Sequence, residues 1–136
     1  MKRFLLLGSL AVGIVTLWLS WIPSSRMADV SWLPDSVGLW ADRDPNQRTF
    51  VPFAIAGVAF SLCAVRLLGR GIRSVGLGMV CALVLLVVAE TGQFFISTRG
   101  PSLGDLRWGV GGILVGALLV IAGTMFFPTK PTHEHS

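Results

Sequence analysis

Four apolar runs, each near the length a helix needs to cross a bilayer, predict an all-α membrane protein: an antiparallel bundle of four transmembrane helices with both termini inside. Composition and the placement of acid support that class. Of 136 residues only 13% are charged while 53% are hydrophobic, about half the charge of an average soluble domain, and the mean hydropathy is +0.73. A single acidic residue, Glu90, lies inside any of the runs. With no water in hydrocarbon to satisfy the backbone, isolated runs of this kind must be helical.

The first run, 4–22, follows Lys2 and Arg3 and opens like a signal peptide. Its apolar core from 4 to 19 is long for one, and Trp21, Ile22, Pro23, Arg26 and Met27 stand where a small-residue cleavage site would be, so a retained anchor is expected. Residues 23–49 form the longest non-apolar segment. Within it the stretch 31–40, with Trp32, Leu33, Leu39 and Trp40 around Pro34, is suited to lie on the membrane surface. The second run, 50–68, carries Arg66, whose head must snorkel to the interface. A tight link with Arg70 and Arg73 makes the second and third runs, the latter at 75–95, antiparallel neighbours. The fourth run is 108–127, and the polar residues 128–136 are expected to be disordered. The whole chain reads as a single domain without internal repeats.

Basic residues set the predicted orientation. Lys2, Arg3, Arg66, Arg70, Arg73 and Lys130 fall on one side, which by the positive-inside rule is the cytoplasmic one. The other side holds Arg26, Arg43, Arg48, Arg99 and Arg107, accompanied by Asp29, Asp35, Asp42, Asp44 and Asp105. Trp18, Trp21, Trp32, Trp40 and Trp108 would then gather at the outer interface, where amphipathic rings settle. The net charge of +4 comes without a basic stripe or aromatic interleaving, so nucleic acid is not an expected partner. Cys63 and Cys81 lie inside apolar runs and read as small packing residues. His133, Glu134 and His135 lack a third ligand, and neither a metal nor a cofactor is expected.

Glu90 is the candidate centre. A carboxylate at that depth costs on the order of 3 kcal/mol on insertion scales, so it marks a function or a buried partner. Gln93, one turn on, shares its helix face with Leu86 and Ser97, and that face must look into the bundle or a wet cavity. Arg99 and Arg107 flank the short 100–104 loop. Either pairs with Glu90 and pins two helices together, or binds an anionic headgroup through the guanidinium fork. Ser102 and Asp105 have the spacing of a capping box. Asp105, Gly109, Gly112, Gly116 and Gly123 lie on one helical stripe, and the Gly112-x-x-x-Gly116 pair permits close helix contact. No phosphate loop, redox cysteine pair or hydrolase triad is present.

In order and spacing, Glu90, Gln93, Arg99, Asp105, Gly112 and Gly116 resemble the signature of the VanZ-like family. Upstream, Asn46, Phe50 and Pro52 are similar to that family's Asn-x-x-x-Phe-x-Pro segment at the start of its second span. The chain departs from the pattern twice. Gly109 stands where the family usually has Asn, and Ala54 where it usually has Gly. The resemblance implies a multi-pass protein of the bacterial cytoplasmic membrane, acting near the cell envelope and linked to teicoplanin resistance or exopolysaccharide assembly. On that expectation an outward site of Glu90, Gln93, Arg99, Asp105, Arg107 and Asn46 recognises a membrane amphiphile: a lipid headgroup, a lipid-linked glycan or a lipoglycopeptide. Two other readings stay open: an enzyme using Glu90 as general base on a lipid, and a structural subunit of an envelope-assembly complex, alone or as an oligomer.

Overall fold

The computed structural model describes residues 2–23, 26–98 and 100–126, and among them the chain is all-helical. Four helices are long and apolar enough to cross a membrane: α1 (Lys2–Ser20), α3 (Pro45–Leu68), α4 (Ile72–Gln93) and α5 (Leu103–Phe126). Between α1 and α3 lie a 3-10 turn, Met27–Asp29, and the short helix α2 (Asp35–Arg43). Residues 128–136, including His133, Glu134 and His135, lie outside the described residues.

Local chemistry moves three boundaries from where hydropathy puts them. The second span begins five residues early, at Pro45, whose fixed φ suits the first helical position. The same proline keeps Asp44 out of the helical region, at φ −125° and ψ 75°, so α2 and α3 stay separate helices. The fourth span starts at Leu103, behind the Ser102 hydroxyl, which accepts the N–H groups of Gly104 (3.2 Å) and Asp105 (3.4 Å). The third ends at Gln93 rather than 95. There the backbone tightens into i→i+3 bonds from Phe94 to Thr91 (3.2 Å) and from Phe95 to Gly92 (3.1 Å). The link between α3 and α4 opens at Gly69, whose φ of 99° and ψ of 167° lie in a positive-φ region that favours glycine.

Glycine also dictates how the long helices meet. A Cβ on Gly112 would stand 2.4 Å from the Phe50 carbonyl oxygen, one on Gly116 2.4 Å from that of Ala54, and one on Gly57 2.7 Å from that of Ile113. α3 and α5 therefore touch backbone to backbone. Their contacts advance together along both chains, so the two run in the same direction. Gly78 of α4 lies on Ser61 of α3 in the same manner, with 2.4 Å from its built Cβ to Ser61 Cα. Where lipid removes the hydrophobic drive between helices, such close approach supplies packing in its place. Phe53, Ala82, Leu86, Ala89 and Ile113 make the core at these contacts. α1 sits at the periphery and buries only Ser9, Gly13 and Thr16. Cys63 is buried as the packing reading expects, whereas Cys81 is exposed.

The tryptophans gather at one end. Trp18 stacks on Trp32 with ring centroids 4.7 Å apart. Phe50 meets Trp108 edge-on at 6.2 Å. The Trp21 indole lies against Gly92, where a Cβ would meet Nε1 at 2.2 Å, and it donates to the Ala89 carbonyl at 3.1 Å. The stretch suited to lie on the membrane surface becomes helical from Asp35. Asp35 in the first turn and Arg43 in the last complement the helix dipole. Gly38 presses α2 onto the 3-10 turn, 2.8 Å from its built Cβ to Ala28 Cα.

Candidate functional site

On α4 the spacing of Leu86, Glu90 and Gln93 puts all three on the face turned into the protein, and all three are buried. Ser97, expected on the same face, falls in the turns past the end of α4 and is exposed. Glu90 is three residues inside that end, roughly 4.5 Å at 1.5 Å per residue, shallower than a span reaching 95 implies.

What Glu90 meets explains how a carboxylate is held there. The backbone N–H of Ser102 donates to Glu90 Oε2 at 3.3 Å. Ser102 precedes the first residue of α5, so the carboxylate sits at a helix N-terminus, where unmet N–H groups and the dipole favour negative charge. The capping box is thus split between two helices. The Ser102 hydroxyl does its half by accepting the Asp105 N–H, but the carboxylate that receives the Ser102 N–H comes from α4. Asp105 turns instead to α3, where its Oδ1 accepts the Thr49 hydroxyl at 3.0 Å. Glu90 and Asp105 together tie the start of α5 to α4 and α3.

Beside this joint lies a cavity of about 130 Å³, between the 3-10 turn and α2 on one side and the ends of α1, α3 and α4 on the other. Arg48, Thr49, Glu90 and Gln93 form its polar part, while Met27, Val37, Trp40 and Phe53 line it with apolar surface. Gln93 is 6% exposed. Its side-chain amide lines the cavity and hydrogen-bonds to none of the described residues. Arg48 is half-buried at the same cavity. Pro52, one turn on, has no N–H to give to the Arg48 carbonyl, so that carbonyl lacks its usual helical donor.

A clasp holds the cover of this cavity. Asp42 of α2 accepts the backbone N–H groups of Met27 (2.7 Å to Oδ1) and Ala28 (3.0 Å to Oδ2). Those two bonds, the Ala28 one the larger effect, hold its carboxyl below the usual carboxylate range, with help from the positive charges of Arg48 and Arg26. On the outside, the Thr98 hydroxyl donates to the Pro23 carbonyl and ties the turns after α4 to the chain leaving α1.

Of the residues the sequence singles out, Glu90 and Gln93 meet at the cavity, and Asp105 joins Glu90 at the start of α5. Asn46 and Arg107 are exposed and do not line the cavity. Arg99 lies outside the described residues. Gly112 and Gly116 pack on α3, but Gly109 faces α4, where a Cβ would come within 2.5 Å of Leu86 Cδ1. The space an asparagine would need at 109 is filled by the fully buried Leu86. Arg48 is the residue sequence reasoning passes over. Its signal was the pairing with Pro52, an arginine one turn before a proline within a span. Comparison with family models, with curated proteins and with solved structures finds no match for this chain.

Proposed function

We propose that this chain is a multi-pass membrane-binding protein of VanZ-like type, N-in and C-in in a bacterial cytoplasmic membrane, whose outward cavity takes the head region of an envelope amphiphile. The observation that carries the reading is that Gln93 of α4, 6% exposed, and Arg48 of α3 line the same mostly apolar cavity. Arg48 supplies the cation for a phosphate or carboxylate, and Trp40, Val37, Met27 and Phe53 supply apolar walls for the neighbouring part of the molecule. A few convergent polar groups in an otherwise apolar cavity is the usual make-up of a small-ligand site. Lipid headgroups, lipid-linked glycans and lipoglycopeptides all carry that combination.

The bond from Ser102 to Glu90 favours binding over catalysis, because it commits the carboxylate to holding α5. The test is to purify the protein from its host membrane and identify retained amphiphiles by native mass spectrometry. Arg48→Gln and Gln93→Ala should each cut retention about tenfold, the worth of one or two lost polar contacts, with the thermal midpoint little changed. Full retention in both variants would remove the proposal.

A further inference from the structure

At the opposite end of the molecule from this cavity, α3 and α5 come apart. Their backbones touch at Gly57, Gly112 and Gly116, yet Gly123, two turns beyond Gly116, has nothing within 4 Å of a built Cβ. The separation leaves a groove of about 390 Å³, walled by Val58 and Leu62 of α3 and by Leu119 and Val120 of α5. At its mouth stand Arg66, in the last turn of α3, and Arg70, in the link to α4. A second groove of about 270 Å³ continues past Arg70 and Thr124, which border both.

Val58 and Arg66 are eight residues apart on α3, roughly 12 Å along the axis. The groove therefore runs from the level of the guanidinium groups to less than half the depth of a ~30 Å hydrocarbon layer. Its section changes with depth, charged at the mouth and aliphatic below. That matches one half of a phospholipid: an anionic phosphate at the interface and the first methylenes of an acyl chain beneath it. Arg66 interrupts an otherwise apolar run, an expensive position unless its head reaches the interface. Basic pockets between transmembrane helices are suited to anionic headgroups, and the guanidinium fork fits phosphate oxygens.

We infer that this groove is a binding site for an anionic phospholipid, with Arg66 and Arg70 on its phosphate and an acyl chain lying between α3 and α5. It is independent of the outer cavity and of whatever that cavity binds.

The test uses the full chain in detergent with equal amounts of phosphatidylglycerol and phosphatidylcholine, read by native mass spectrometry. The wild type should retain phosphatidylglycerol in preference by about tenfold, and Arg66→Gln combined with Arg70→Gln should bring the ratio to about one. Gly123→Leu adds a side chain to the open space while leaving both arginines in place. It should lower retention of phosphatidylglycerol about tenfold with an unchanged circular dichroism spectrum. Inorganic phosphate at millimolar concentration should not displace the lipid, since it lacks the chain that fills the groove. Equal retention of the two lipids by the wild type, undiminished preference in the double variant, undiminished retention in Gly123→Leu, or displacement by phosphate alone would each overturn the inference.

Discussion

At the scale of single residues, Glu90 shows how position decides what a buried carboxylate does. Three residues from the end of α4, it receives the backbone N–H of Ser102 rather than facing hydrocarbon. Removing the side chain takes the acceptor from that N–H at a part-buried joint. Glu90→Ala should lower stability by about 1–3 kcal/mol, and Glu90→Gln, which keeps an acceptor oxygen but loses the charge, by about 1 kcal/mol. Thermal unfolding in detergent separates the two; equal midpoints for both variants and the wild type would mean that the bond carries no weight. Gly109 gives a complementary case. An asparagine there would drive its Cβ into Leu86, which is fully buried and has nowhere to retreat. Gly109→Asn should destabilise by about 1–3 kcal/mol as overpacking. Combining it with Leu86→Ala should recover part of that loss, because the shorter side chain vacates the contested space. Simple additivity of the two losses would show that the contact is not the cause.

At the scale of elements, the unit that covers the cavity is α2 with its 3-10 turn, and its attachment depends on Asp42. Two backbone N–H groups hold the folded carboxyl below its usual value of 3.8. A carboxyl whose pKa is depressed by folding stabilises the fold above its unfolded value, and the contribution is lost as pH falls through the folded one. The clasp is therefore intact at neutral pH and opens only below about 3.8. Amide exchange checks this: protection of Met27 and Ala28 should persist from pH 7 to 5 and fall in stronger acid. In Asp42→Asn, protection should be reduced at neutral pH and should no longer change on acidification. Loss of protection already at pH 6 would point to some other group. α2 itself was only half legible in the sequence. Trp32, Leu33, Leu39 and Trp40 marked an apolar segment, but its helicity from Asp35 depends on Pro34 and Pro45 at its margins and on the contact of Gly38 with Ala28. That contact joins residues ten apart in sequence and leaves no periodic trace.

At the scale of the whole molecule, the spans were legible because crossing hydrocarbon imposes length and composition on every residue of a run. Which helix touches which was not, since Gly112 and Gly116 announce a close approach without naming the partner. The stripe from Asp105 to Gly123 reads as one seam, yet in space it divides among neighbours. Asp105 reaches Thr49, Gly109 meets Leu86, Gly112 and Gly116 lie on α3, and Gly123 borders the open groove. Helical spacing gives the angle of a residue about its own axis and says nothing of where a neighbouring axis bends away. The candidate site divides in the same way: Glu90 and Gln93 stand out as polar groups in an apolar run, whereas Arg48 reads as one of several loop arginines and only the cavity distinguishes it. If the α3 seam holds the fold together, glycines of one helix type should respond in opposite directions to the same substitution. At Gly112 a methyl group would meet Phe50 O at 2.4 Å and Ala54 N at 2.9 Å, backbone atoms that move only if α3 moves. Gly112→Ala should therefore cost about 1–3 kcal/mol despite alanine's better helix propensity. Gly76, inside α4, has nothing within 4 Å, so there only the propensity acts, and Gly76→Ala should gain up to about 1 kcal/mol. Opposite shifts in thermal midpoint are the expected result. Shifts of the same sign would mean that helix propensity, and not the contact between α3 and α5, governs both sites.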